Sequence, residues 1–98
     1  MFTHVVLFLL KPETKSQLGA AREQLLNMRG QIAGLVDVEV GLDELHSERS
    51  FDFALITRHN TRADLDVYQD HPVHREVLAF IRPLVERSVA VDYGQQAS

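Results

Sequence analysis

The fold class this sequence predicts is α+β: a four-stranded antiparallel sheet in the ferredoxin-like order βαββαβ. Two observations carry the prediction. Runs with a two-residue apolar period are interleaved with runs of period three to four, in the order strand, helix, strand, strand, helix pair, strand. The mixture is that of a globular chain, with 45% hydrophobic and 24% charged residues among 98. No repeat or linker interrupts it, so residues 1–98 read as one domain.

Phe2 to Leu10 is short, β-branched and aromatic, a strand signature. Phe2, His4, Val6, Phe8 and Leu10 share one face and Thr3, Val5, Leu7 and Leu9 the other. Both faces are largely apolar, which predicts a central strand covered on both sides. From Glu13 to about Ile32, Leu18, Ala21, Leu25, Met28 and Ile32 recur at helical spacing, and Gly34 is a plausible stop. Leu35 to Leu45 alternates, with Val36, Val38, Val40 and Leu42 on one face and Asp37, Glu39 and Asp43 on the other. Phe51 to Thr57 is the next strand, placing Phe51, Phe53 and Leu55 together.

Thr61 can cap a helix, with Asp64 three residues on giving a weaker relative of the capping box. Pro72 suits the first position of a second helix, whose stripe is Val73, Val77, Phe80, Ile81 and Leu84; Pro83 ends or kinks it. Ser88 to Tyr93 is the last strand, with Val89, Val91 and Tyr93 on one face, and Gly94 to Ser98 reads as a frayed polar tail.

Composition excludes several classes. Fourteen acids against 10 Lys+Arg give a net charge of −4, the wrong balance for a nucleic-acid partner. The absence of cysteine excludes thiolate nucleophiles, disulfides and Cys-ligated metals. The apolar run Val5 to Leu10 is far short of the ~20 residues of a membrane span and lacks the flanks of a signal peptide. No membrane partner is therefore expected, and the expected location is the cytoplasm.

The apolar fraction has a further meaning. With helices on one sheet face, the other still carries aliphatic and aromatic side chains from at least three strands. That exceeds the few hundred Å² a monomer exposes as one patch. A homodimer packed through its sheet faces would cover it, the alternative being cover by loops or the tail.

The densest polar cluster is Tyr68-Gln69-Asp70-His71-Pro72-Val73-His74. His74 falls in the first turn of the Pro72 helix, whose dipole favours neutral imidazole, a base. Beside the Tyr68 hydroxyl it makes a workable acid–base pair for enolising a carbonyl compound. The plainer reading has His71 capping the helix and His74 hydrogen-bonding a nearby carbonyl. His4 sits in the most apolar strand and needs a polar partner. Asp92, the only acid in the last strand, can supply it, either as a purely structural pair or to orient a histidine at the floor of a pocket. His71 and His74 lack an evident third ligand, so no metal is expected. No phosphate loop or nucleophile elbow is present, and no cofactor is expected.

Together, HVVLFLLK, ERSFDFALIT, YQDHPVH and AVDY resemble the stress-responsive A/B barrel domain family, Dabb, from Phe2 to Tyr93. The resemblance implies a dimeric α+β barrel of two ferredoxin-like subunits packed sheet on sheet. The family includes stress-induced plant proteins and a polyketide cyclase that closes its substrate by aldol chemistry without a cofactor. By that resemblance Tyr68 and His74 are the catalytic pair, with His4 and Asp92 lining the pocket; His71 is expected at the same wall. Two functions follow as expectations. One is a stress-related or ligand-binding homodimer holding a small apolar or carbonyl-containing molecule between sheet and helices. The other is a cofactor-independent enzyme of the cyclase, isomerase or monooxygenase kind.

Overall fold

The computed structural model describes residues 1–95. The elements are β1 (Phe2–Leu10), a 3-10 segment (Pro12–Gln17), α1 (Leu18–Leu26), β2 (Leu35–Leu42), β3 (Phe53–His59), α2 (Arg62–Asp70), α3 (Pro72–Ile81), a 3-10 turn (Arg82–Leu84) and β4 (Val85–Gly94). The four strands form one sheet in the order β2-β3-β1-β4, every pairing antiparallel. This is the ferredoxin-like α+β fold. No described helix is long and apolar enough to cross a membrane.

The central strand β1 behaves as its two apolar faces require. His4, Val6, Phe8 and Leu10 are buried against the helices, and Phe8 stacks on its cross-strand neighbour Phe53 with ring centroids 4.8 Å apart. Opposite faces are fixed by register: Val5 pairs with Ile56 and Val91, and Leu7 with Ala54 and Val89. These six side chains form an apolar surface on the helix-free face. Leu7 and Val89 are each 37% exposed there, and Val91 63%. Charge on this face gathers at the β2 side, where Arg58 pairs with Asp37 and Glu39.

Several boundaries differ from the sequence reading. The long first helix is α-helical only over Leu18–Leu26; Pro12–Gln17 is 3-10, and 27–34 are turns. Gly30 (φ +76) and Gly34 (φ +84) take left-handed backbone, which an α-helix cannot continue through. The apolar stripe survives: Met28 and Ile32 are buried from turn positions, as Ala21 and Leu25 are from the helix. Val36 faces solvent rather than joining Val38, because the register shifts between Leu35 and Asp37. β3 starts two residues later than expected and continues to His59. β4 starts at Val85 and includes Gly94, and Gln95 N–H bonds Met1 O at 3.3 Å. The expected frayed tail is thus ordered through Gln95, and its remainder lies outside the described residues.

The Thr61–Asp64 cap, expected as a weaker relative of the capping box, is a full capping box. Thr61 Oγ1 accepts from Asp64 N–H, and the Asp64 carboxylate accepts from Thr61 N–H, each at 3.2 Å. Gly34 packs directly on it: a Cβ there would lie 2.6 Å from Asp64 Cγ. Gly34→Ala therefore combines left-handed strain with a displaced cap and is expected to cost about 2–3 kcal/mol, read as a lowered urea midpoint. Gly19→Ala, where nothing lies near the new Cβ, is the matched control.

Candidate functional site

The link between α2 and α3 is built around one residue. His71 is the C-cap of α2 and the N-cap of α3, with extended backbone (φ −67, ψ 138) as a residue before proline requires. Its N–H donates to Tyr68 O at 3.2 Å, and its Nδ1 accepts from Val73 N–H at 3.1 Å. Pro72 occupies the first helical position, where no N–H is needed. The corner turns Tyr68 and His74 toward each other, with ring centroids 4.3 Å apart.

Two more imidazoles surround Tyr68. His59, the last residue of β3, has its ring centroid 5.0 Å away and His4 6.3 Å away. His4 pairs with Asp92 across the β1–β4 ladder, where the two are direct register partners, through Nδ1 and a carboxylate oxygen. This leaves His4 Nε2 as the free nitrogen. His74 Nδ1 lies 3.1 Å from Gln69 O, so the Nδ1–H tautomer donates there and Nε2 can accept. His59 Nε2 and Thr57 Oγ1 are 2.9 Å apart, both residues fully buried. His59 Nδ1 and the Tyr68 hydroxyl are buried with no hydrogen-bond partner among the described residues.

A cavity of about 390 Å³ opens between sheet and helices beside this cluster. His4, Tyr68 and His74 line it together with the apolar Val6, Phe8, Leu25, Leu55, Val77 and Ile81. Asp92 and His71, expected at the pocket wall, are not among its lining residues. Asp92 reaches it only through His4, and His71 is occupied as a cap. The sequence reading missed His59: it ended the strand at Thr57, whereas continued alternation from Phe53 and Leu55 places Thr57 and His59 inward. Among the described residues no group of three or more His, Asp or Glu could hold a metal ion.

Burial dominates the electrostatics. It pushes the Tyr68 hydroxyl well above the ordinary phenol value, so the group stays a hydrogen-bond donor. It also lowers His74, opposed by the hydrogen bond to Gln69 and assisted by His4 and Arg82. His59 is lowered by burial and by His4, opposed by Asp64. Both rings stay neutral where a free imidazole would charge.

The sign of the pH effect follows. Below the ordinary imidazole value of 6.5 the unfolded chain binds protons that folded His59 and His74 refuse. Their neutral burial carries no penalty above about pH 7, and stability falls as pH drops through ~6.5 toward the depressed folded values. Urea midpoints between about pH 7.5 and 5 should show this fall. His59→Gln and His74→Gln should each flatten it; a flat wild-type profile would count against buried neutral rings.

Residues 2–95 match the sequence pattern of the Stress Responsive A/B Barrel Domain family, Dabb. The chain belongs to this family. The Dabb chain is similar in structure to a dimeric ferredoxin-like protein of unknown function from Thermobifida fusca YX. Identity is 28% and TM-score 0.86, covering 96% of this chain and 90% of that one. It is also similar to a dimeric protein of unknown function and ferredoxin-like fold from Bacteroides fragilis, at 25% identity and TM-score 0.84, covering 94% and 93%. A hydroxynitrile lyase from Passiflora edulis shares the fold at 17% identity and TM-score 0.85, covering 99% and 94%. No curated protein matches the Dabb chain in sequence.

Proposed function

We propose that this Dabb protein is a homodimer, paired through its sheet faces, that binds a small and mostly apolar carbonyl compound in the cavity between sheet and helices. The observation that carries the ligand reading is the Tyr68–His74 pair, ring centroids 4.3 Å apart, on the wall of a largely apolar cavity of about 390 Å³. That volume lies within the roughly 300–1,000 Å³ of small-molecule sites, and apolar walls with few convergent polar groups are their usual make-up. The dimeric relatives support the pairing.

A second reading, cofactor-independent proton transfer on the bound carbonyl compound, is favoured by the state of the two side chains. His74 is neutral with Nε2 available, and Tyr68 keeps its proton. His74 Nε2 would take a proton from the carbon next to the carbonyl, and the electron pair would move onto the carbonyl oxygen. The Tyr68 hydroxyl, buried beside the cavity without a partner among the described residues, would donate a hydrogen bond to that oxyanion once its ring shifts toward the ligand. Return of the proton from His74 to the same carbon gives exchange, and to another carbon gives isomerisation. His4, fixed by Asp92, would position the ligand.

One probe tests both readings. Methyl 2-naphthyl ketone should raise the melting temperature of the native protein, and His74→Ala should abolish the shift. In D2O the protein should accelerate exchange of the ketone's methyl protons, with a loss of about 10²–10⁴-fold in His74→Gln. Binding without exchange would leave a ligand-binding protein and remove the enzyme reading. No binding would overturn both.

A further inference from the structure

The cavity wall holds one permanently ionised side chain, Arg82. Its other polar members are His4, Tyr68, Gln69, His74 and Ser88, and among the described residues no carboxylate lines it. Arg82 starts the 3-10 turn after α3 and, with Gln69, Ser88 and Ala90, belongs to the solvent-exposed part of the lining. Arg58 and Arg75 are paired with acids, whereas Arg82 forms no ion pair within 4.0 Å among the described residues. Its field reaches inward, since it disfavours the charged form of His74.

We infer that the cavity selects apolar molecules bearing one carboxylate, the anion meeting Arg82 at the opening and the apolar body lying against Val6, Phe8, Leu55 and Ile81. This rests on the ligand-binding reading and adds the charge of the ligand to it. A guanidinium presents a planar fork that a carboxylate accepts two-fold, and one such fork suits one carboxylate better than a doubly charged phosphate. The exposed position lets the anion stay partly hydrated while the apolar part leaves water, so no ion is buried unpaired. Low-dielectric walls strengthen the attraction relative to open surface. The protein as a whole carries −4, so anion selectivity must come from a local group rather than from overall charge.

The test compares 2-naphthoate with its neutral isostere 2-naphthamide on the full chain at about pH 8, where imidazoles are neutral. By titration calorimetry, naphthoate should bind about tenfold or more tightly than the amide. Arg82→Gln should remove that preference, the acid losing about tenfold or more in affinity relative to the amide; the side chain is exposed, so folding is preserved. Raising the salt concentration should weaken naphthoate and spare the amide. If the amide binds the native chain as tightly as the acid, or the preference survives in Arg82→Gln, the inference fails while the ligand-binding reading stands. If neither probe binds the native chain, the ligand-binding reading falls and takes the inference with it.

Discussion

If the native chain pairs through its sheet faces as proposed, Val91→Glu is expected to give a folded monomer in place of that dimer. At micromolar concentration the native chain should sediment at twice its 11.1 kDa mass and the variant at 11.1 kDa. Val91 is 63% exposed in the single subunit, so the substitution removes little from the core. It does place a carboxylate beside Val5, its register partner, on the apolar sheet face. Closing two such faces would then bury a charge without a partner, a cost of several kcal/mol that disfavours pairing. Val67→Glu is the control. Val67 is 52% exposed and lies on α2, across the molecule from the bare sheet face, so the mass should stay that of a dimer. A native chain that sediments at 11.1 kDa would sink the paired-sheet arrangement outright.

Tyr68 should separate stability from function. Tyr68→Ala empties a fully buried site and is expected to cost about 3–5 kcal/mol, read from urea denaturation. Tyr68→Phe keeps the ring and removes a buried hydroxyl that has no partner among the described residues. Such a group costs about 1–3 kcal/mol of desolvation, so its removal should leave stability unchanged or raise it by about 1 kcal/mol. The same substitution deletes the donor that would meet a carbonyl oxygen or its oxyanion. Methyl 2-naphthyl ketone should bind more weakly, and any proton exchange should fall about 10²–10³-fold. If phenylalanine instead destabilises as much as alanine, the hydroxyl is bonded within the fold, and its assignment as a ligand donor is withdrawn.

How much of this was readable from residues alone differs by element. β1 was legible because nine residues, apolar on both faces, have few other places to go. The Thr61–Asp64 cap and the Pro72 start were legible because each is a local rule satisfied within a few residues. The His4–Asp92 contact followed from strand order once the fold class was set. The first helix was misread because periodicity records which residues are buried, not the backbone that buries them. Met28 and Ile32 keep the stripe from turns that Gly30 and Gly34 permit. His59 escaped because a strand end has no local signal when the next inward residue is polar. The cavity and Arg82's place beside it lie in the gap between α3 and the β1–β4 side of the sheet, which no spacing in the sequence records.

The corner at His71 has a consequence for how this site can vary. Tyr68 and His74 stand on different helices, so neither helix's length sets the distance between them. It is set by a junction one residue long, clamped from both sides by the His71 N–H and ring. Each residue added to a helix turns its far end by about 100°. A single insertion between Asp70 and Pro72 would therefore swing one ring away from the other, even if both helices remained intact. Extension at the other ends, before Arg62 or after Ile81, would leave the pair in place. The walls of the cavity are free to change in size and charge while the spacing of its two polar rings is held by a segment that tolerates no change in count.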